Sequence, residues 1–189
     1  MAGLPMDQRE GWIWFDGELK PWKDAKVHVL THGLHYASCV FEGERAYGGE
    51  IFKSREHTER LIQSGKTLDF TIPYSVDEIE AAKRLVLEKN GLVDAYVRPV
   101  AWRGSEELSV PGRNNTVHLA IASWVWPSYF SVEEKLKGIR LEWSKWKRPS
   151  PETIPSSAKA AGLYMICTLS KDAAMANGYA DALMLDYRG

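Results

Sequence analysis

Apolar and polar residues alternate in short runs near the start of the chain, which predicts β structure. Four apolar residues at 12–15 are followed by Asp16-Gly17 and a second short strand-like run. An Asp-Gly pair tolerates the positive φ angles of a tight turn, so this segment predicts a hairpin. The same pattern recurs over residues 40–52, with a Gly-Gly pair at the turn, and predicts a second hairpin.

A helical period replaces this alternation between Ser75 and Asn90. Ser75 and Glu78 have the spacing of a capping box, and apolar residues then recur at every third or fourth position up to residue 86. Asn90, followed by glycine, is typical of a helix end. A further helix is predicted after the second hairpin, with Ser54 as its N-cap.

Runs rich in β-branched and aromatic residues predict three longer strands, over residues 95–102, 116–126 and 139–146. The segment 127–138 is polar and predicts a loop between domains. We therefore expect an N-terminal α+β domain over residues 1–126, an interdomain loop over 127–138, and the start of a second domain over 139–189.

The second domain is expected to be incomplete. Residues 163–177 predict a helix and residues 182–186 a strand, after which the sequence ends. Two elements cannot cover a sheet face by themselves. The chain is therefore expected to be a fragment of a longer protein, or the ordered part of one.

Composition narrows the classes of function. With 44% hydrophobic and 26% charged residues, the chain is expected to fold as a globular protein. Its 24 basic and 25 acidic residues give no electrostatic footprint for nucleic acid or an anionic membrane, so we expect small-molecule partners. No apolar run approaches the roughly 20 residues of a membrane span, and the first ten residues lack a signal-peptide pattern, so a cytoplasmic location is expected.

One lysine is distinguished by its neighbours. Lys159 lies in Ile-Pro-Ser-Ser-Ala-Lys-Ala-Ala-Gly, where every residue within three positions is small. A lysine that traps an electrophile needs such access beside its amine, together with shielding from water. The same spacing also fits a solvated surface lysine, which is the more common case.

Two arginines are further candidates. Arg98 lies inside an apolar strand, so its guanidinium needs an anionic partner, either a ligand carboxylate or an internal Asp or Glu. Arg60 falls on the helix predicted after Ser54, where a surface position is the simpler interpretation.

Three histidines, His28, His32 and His35, have the spacing of metal ligands on a helix. Gly33 and the alternation before it disfavour a helix there, so no metal site is expected.

Five segments, in this order and spacing, closely resemble the branched-chain aminotransferases of the fold-type IV pyridoxal-phosphate enzymes. They are Trp-Phe-Asp-Gly (14–17), His-Gly-Leu-His-Tyr-Ala-Ser-Cys-Val-Phe-Glu-Gly (32–43), Arg-Glu-His-Thr-Glu-Arg-Leu (55–61), Ala-Tyr-Val-Arg-Pro (95–99) and Ile-Pro-Ser-Ser-Ala-Lys-Ala-Ala-Gly-Leu-Tyr (154–164). The resemblance extends from about residue 12 to residue 189. It implies a two-domain α+β fold of fold type IV, similar to D-amino acid aminotransferase.

The resemblance also implies a cofactor, pyridoxal 5′-phosphate, and the residues that hold it. Lys159 would bind the cofactor as a Schiff base and move the substrate proton, Arg60 would bind its phosphate, and Tyr164 would lie beside it. The substrate-pocket positions implied in the same way are Tyr36, Phe41, Tyr96, Arg98 and Tyr129.

The implied activity is reversible amino transfer between L-leucine, L-isoleucine or L-valine and 2-oxoglutarate by a ping-pong mechanism. Family pockets include residues of a neighbouring subunit, which implies a homodimer or homohexamer. Parts of the cofactor site are expected after Gly189, so the chain alone is expected to be inactive or to bind cofactor weakly. A D-amino acid aminotransferase, an aminodeoxychorismate lyase and a non-catalytic cofactor carrier remain as alternatives, and Tyr96 with Arg98 favours the branched-chain type.

Overall fold

Within residues 4–126, seven strands form one antiparallel sheet in the computed structural model, which describes residues 4–126 and 132–189. The strands are β1 Trp12–Phe15, β2 Glu18–Pro21, β3 Cys39–Phe41, β4 Glu44–Tyr47, β5 Glu50–Ile51, β6 Ala95–Arg103 and β7 Val117–Trp124. The sheet order is β2-β1-β7-β6-β4-β5, and β3 also pairs with β6. The long central strand β6 therefore carries both β3 and β4 along one edge.

Both predicted hairpins are confirmed. β1 pairs with β2 through a turn in which Asp16 and Gly17 have φ angles of 49° and 98°. β4 pairs with β5 through Gly48 and Gly49, whose φ angles are 60° and 87°. These positive angles explain why the turn dipeptides predicted the hairpins correctly.

Helices α1 His32–Tyr36, α2 Ser54–Thr67 and α3 Val76–Lys89 belong to the same part of the chain. The predicted capping box is present at α3, where the Glu78 amide donates to Ser75 Oγ at 3.3 Å and the Ser75 amide donates to Glu78 Oε2 at 2.7 Å. The predicted N-cap of α2 is wrong by one residue. Lys53 is the N-cap, with φ 54°, and Ser54 is the first helical residue.

The core lies between the sheet and these helices. Leu61, Ile79 and Val86 of the helices are fully buried, as are strand residues Val40, Val97, Leu119 and Ile121. Along β6, Ala95, Val97 and Pro99 are buried while residues 96 and 98 are half-buried. Because side chains alternate across a strand, Tyr96 and Arg98 lie together on the sheet face opposite the core.

A charged cluster lies inside this core. The Lys83 side chain is fully buried, and its Nζ donates to Glu44 Oε2 at 2.8 Å, Thr58 Oγ1 at 2.6 Å and Glu80 Oε1 at 3.1 Å. Ser54 explains the shifted cap of α2, since its Oγ lies 3.3 Å from Lys83 Nζ. Burial raises the pKa of Glu44 to about 7, although Lys83 opposes the effect.

The chain divides into two units by its internal contacts, and residues 158–160 group with the first unit. The second unit contains α4 Val132–Lys137, β8 Leu141–Trp143, α5 Met165–Ala176 and β9 Asp181–Leu183, with β8 parallel to β9.

Three local features differ from the predictions for this part of the chain, and one is β9, which spans Asp181–Leu183 instead of residues 182–186. α4 lies within the segment 127–138, which was expected to be a loop, because that segment contains helix-forming residues and a Glu133–Lys137 ion pair one turn apart. β8 is shorter than the strand predicted over 139–146.

No helix in residues 4–126 or 132–189 is long and apolar enough to cross a membrane.

Candidate active site

The ring of Phe41 brings two predicted site residues together. Lys159 Nζ lies 4.9 Å from the centroid of this ring, and Arg98 Cζ lies 4.6 Å from it. Cations are attracted to the face of an aromatic ring at such distances. An amine and a guanidinium are therefore held at one aromatic side chain at the end of β3.

The backbone of Lys159 is held on both sides. Its carbonyl accepts a hydrogen bond from the Phe41 amide at 3.2 Å, and its amide donates to Ser64 Oγ of α2 at 3.0 Å. Val40 and Ala160 form a β-bridge beside it. Residue 159 falls in the range expected for the second domain, yet its contacts attach it to the sheet and to α2 of the first unit.

Arg98 and Tyr96 form a polar group next to Phe41. Arg98 Nη2 donates to Tyr96 Oη at 2.8 Å, and the guanidinium lies 5.2 Å from the Tyr96 ring centroid. Among the described residues, Arg98 forms no ion pair with an aspartate or glutamate. Gly43 makes room for this arrangement, because a Cβ at that position would collide with Tyr96 Oη.

Two tryptophans that the sequence did not single out as site residues extend the aromatic wall. The rings of Trp124 and Trp126 lie 4.9 Å and 5.5 Å from the Tyr96 ring. Trp124 is the cross-strand partner of Tyr96 in β6 and β7, so both side chains stand on the same face. The signal in the sequence was the spacing of two residues between Trp124, the last residue of β7, and Trp126.

Arg60 is held by a carboxylate that the sequence analysis missed. Its Nε and Nη2 donate to Glu42 Oε1 and Oε2, each at 2.6 Å, in a two-pronged ion pair. The Glu42 side chain is fully buried, whereas that of Arg60 is 53% exposed. Burial by itself would raise the pKa of Glu42, but hydrogen bonds from Arg60 and His57 outweigh it and lower that pKa.

Residues 39–189 match the family described as amino-transferase class IV. The chain belongs to this family.

Relatives of this class IV chain are aminotransferases by name. The probable branched-chain-amino-acid aminotransferase of Rickettsia felis is 44% identical over 189 residues, covering 100% of the chain and 64% of that relative. The branched-chain-amino-acid aminotransferase of Pseudomonas aeruginosa is 40% identical over 190 residues, covering 98% of the chain and 62% of the relative. The chain thus spans less than two thirds of the length of these relatives.

The class IV chain also has close structural neighbours. The crystal structure of a T.th. branched-chain amino acid aminotransferase with pyridoxamine 5′-phosphate superposes with a TM-score of 0.91 at 39% identity, covering 96% of the chain and 61% of that structure. The fold is that of the fold-type IV aminotransferases, as the sequence resemblance implied.

The remaining predicted site residues are three tyrosines. Tyr36 ends α1, where its ring contacts His32 at 4.8 Å and lines a separate cavity with residues 110–113. Tyr164 belongs to the second unit, at the residue before α5, and is 37% exposed. Tyr129 lies outside the described residues. For these three tyrosines the role in this class IV protein stays a prediction.

The expectation that Gly33 disfavours a helix here is wrong, because α1 spans His32–Tyr36, and the histidines of this region form separate hydrogen bonds. His32 is buried, with Nδ1 2.6 Å from Ser38 Oγ and Nε2 3.0 Å from the Ser109 carbonyl. His35 Nε2 lies 3.0 Å from the Val29 carbonyl. In the described part of this class IV chain, no group of three His, Cys, Asp or Glu residues is arranged to hold a metal ion.

Proposed function

We propose that the complete protein is a branched-chain amino acid aminotransferase that uses pyridoxal 5′-phosphate. The observation that carries the proposal is the pair of cationic groups on Phe41: the Lys159 amine at 4.9 Å and the Arg98 guanidinium at 4.6 Å. Transamination needs an amine beside the reacting carbon and a cation for a substrate carboxylate. The names of the relatives support the same activity.

The residues present fit the cofactor. Helix α2 carries Arg60, and one turn later Ser64, which binds the backbone of Lys159. A guanidinium suited to a phosphate and an amine suited to an aldehyde are therefore attached to one rigid element. The T.th. relative was crystallised with pyridoxamine 5′-phosphate, which agrees with this fit.

In this proposal, the bound cofactor supplies an electron sink that makes the substrate Cα proton acidic. Lys159 Nζ takes that proton and later returns one, while the backbone bonds to Phe41 and Ser64 keep the amine in place. Arg98, oriented by Tyr96 Oη, binds the side-chain carboxylate of glutamate or 2-oxoglutarate. The apolar wall for leucine, isoleucine or valine consists of four aromatic rings, those of Phe41, Tyr96, Trp124 and Trp126.

One pocket must therefore accept an apolar and an acidic side chain in turn. A ping-pong scheme satisfies this requirement, because the 2-oxo acid leaves before 2-oxoglutarate enters. The proposal includes roles for the remaining predicted residues, Tyr36 and Tyr129 in the substrate pocket and Tyr164 beside the cofactor. It also includes a homodimer or homohexamer that acts on small molecules in the cytoplasm. Residues 127–138 would connect its two domains.

The first test is a half-reaction with the full-length protein. Visible absorption spectra are recorded with pyridoxal 5′-phosphate, before and after addition of L-leucine without any oxo acid. We expect the band of the lysine-bound cofactor to disappear as a pyridoxamine-type band grows, and D-alanine to have no effect. A band that responds to D-alanine but not to L-leucine, L-isoleucine or L-valine would indicate a D-amino acid aminotransferase instead. The absence of any band would refute the cofactor.

A further inference from the structure

Glu42 lies between β3 and β4, which pair with β6 in one continuous register, and it has a fully buried side chain. Both of its oxygens accept hydrogen bonds from Arg60 at 2.6 Å, and Oε2 also lies 2.9 Å from His57 Nδ1. A buried carboxylate is costly to desolvate, so its retention here needs these partners. The carboxylate is firmly held and provides a fixed reference point for a half-exposed arginine.

The ion pair determines how the Arg60 guanidinium is oriented. An arginine side chain has about 2 kcal/mol of rotamer entropy, and a planar fork bound through two nitrogens loses most of that freedom. Glu42 engages the edge formed by Nε and Nη2, so Nη1 is directed to the side away from Glu42. A phosphate that binds Arg60 would meet a guanidinium whose plane is already set.

The same segment also holds Lys159. The Phe41 amide donates to the Lys159 carbonyl at 3.2 Å, and the next residue, Glu42, binds Arg60. On the other side, the Lys159 amide donates a hydrogen bond to Ser64 Oγ at 3.0 Å. Ser64 lies four residues after Arg60 on α2. These contacts form a closed circuit, Lys159–Phe41–Glu42–Arg60–Ser64–Lys159. A rigid cofactor held at both ends requires such a fixed separation between its two anchors.

We propose that Glu42 is a positioning residue that orients Arg60 for the cofactor phosphate. The inference rests on the proposed function, because it assumes that Arg60 binds that phosphate. Glu42 would act through Arg60 without touching the cofactor. Charge and orientation make opposite predictions here: removing a negative charge near a phosphate should tighten binding by electrostatics, whereas loss of orientation should weaken it.

The test uses Glu42→Gln in the full-length protein. Dissociation constants are measured by absorbance titration of the cofactor-free enzyme with pyridoxal 5′-phosphate and with pyridoxal, which lacks the phosphate. We expect binding of pyridoxal 5′-phosphate to weaken about tenfold, the effect of losing a charge-assisted hydrogen bond, with pyridoxal binding unchanged. Unchanged or tighter binding of pyridoxal 5′-phosphate would overturn the proposal, and so would an equal loss for both ligands.

Three further variants sharpen the result. Glu59→Gln is the matched control, because it removes the same charge from an exposed residue next to Arg60 on α2. It should leave both dissociation constants unchanged. In an Arg60→Ala background, Glu42→Gln should cause no further loss; an additional loss would mean that Glu42 does not act through Arg60. Glu42→Asp keeps the charge but shortens the side chain, so it should also weaken phosphate-dependent binding, and it decides the matter if Glu42→Gln fails to fold.

The two proposals fail in different ways. If the unmodified protein does not bind pyridoxal 5′-phosphate, the proposed function is wrong, and the positioning role is overturned with it. If the unmodified protein binds the cofactor and Glu42→Gln leaves that binding intact, the function stands and the positioning role is wrong.

Discussion

At the scale of single residues, Phe41, Glu42 and Gly43 each have a distinct contact. Phe41 carries Lys159 and Arg98 on its ring, Glu42 binds Arg60, and Gly43 leaves space for Tyr96 Oη. The segment begins at the last residue of β3, and the Glu42 amide donates to the Pro99 carbonyl of β6 at 2.9 Å. Consecutive residues can therefore serve different parts of the site because their backbone is fixed to the central strand.

Gly43→Ala should damage the proposed substrate pocket more than the fold. The new Cβ would displace Tyr96, which would weaken its 2.8 Å hydrogen bond from Arg98. We expect KM for 2-oxoglutarate to rise about tenfold, as for one lost hydrogen bond to a charged group. Steady-state kinetics of the full-length enzyme would measure this.

Tyr96→Phe provides the matched background for this substitution. It removes the oxygen with which the new Cβ collides, so Gly43→Ala should cause a smaller change there. An equal effect of Gly43→Ala in both backgrounds would contradict the explanation based on the Tyr96 hydroxyl.

At the scale of elements, α2 is the helix that joins the proposed cofactor residues. Thr58 and Leu61 are buried on its inner side, and Ser64 is buried one turn after Arg60. Ser64 reaches a residue 95 positions later in the sequence through the Lys159 amide. The helix thus links the sheet to the segment that carries the lysine.

Ser64→Ala should loosen that link. The Lys159 amide would lose its acceptor in a largely buried place, which costs on the order of 1–3 kcal/mol of unfolding free energy. Chemical denaturation of the full-length protein would measure the loss. Thr67→Ala is the control, because the Thr67 hydroxyl donates to the Gln63 carbonyl within the same helix at 2.9 Å, and equal losses for the two variants would argue against the Ser64–Lys159 link.

At the scale of the whole molecule, the buried charges around Lys83 join α2, α3 and β4. Glu44 faces Lys83, Glu80 and Glu42, and burial raises its pKa to about 7 from 4.5. A carboxyl group whose pKa is higher in the folded state favours folding while it is protonated. That contribution is fully present below about pH 4.5 and is lost as the pH rises through about 7.

Glu44→Gln should remove this pH dependence. Between pH 4.5 and 8 the unmodified protein should lose stability relative to the variant by on the order of 3 kcal/mol, since the other titrating groups are common to both. Denaturation curves for both proteins across this range would measure the difference. A constant difference in unfolding free energy at all pH values would show that Glu44 does not titrate there.

Features that depend on neighbours along the chain could be predicted from the sequence. The Asp16-Gly17 turn and the Ser75–Glu78 capping box were predictable because a few adjacent residues set their backbone angles and hydrogen bonds. The family, too, followed from short ordered motifs. The N-cap of α2 was misplaced because the Ser54 hydroxyl faces a buried lysine that is distant in sequence.

The assembly of the candidate site depends on contacts between residues that are distant in sequence. Glu42 and Arg60 are 18 residues apart and Ser64 and Lys159 are 95 apart, and no local pattern encodes such contacts. The attachment of residues 158–160 to the first unit has the same origin. Local interactions fix which elements form, whereas burial of charge and pairing across the sheet, which exist only in the folded chain, fix which side chains meet.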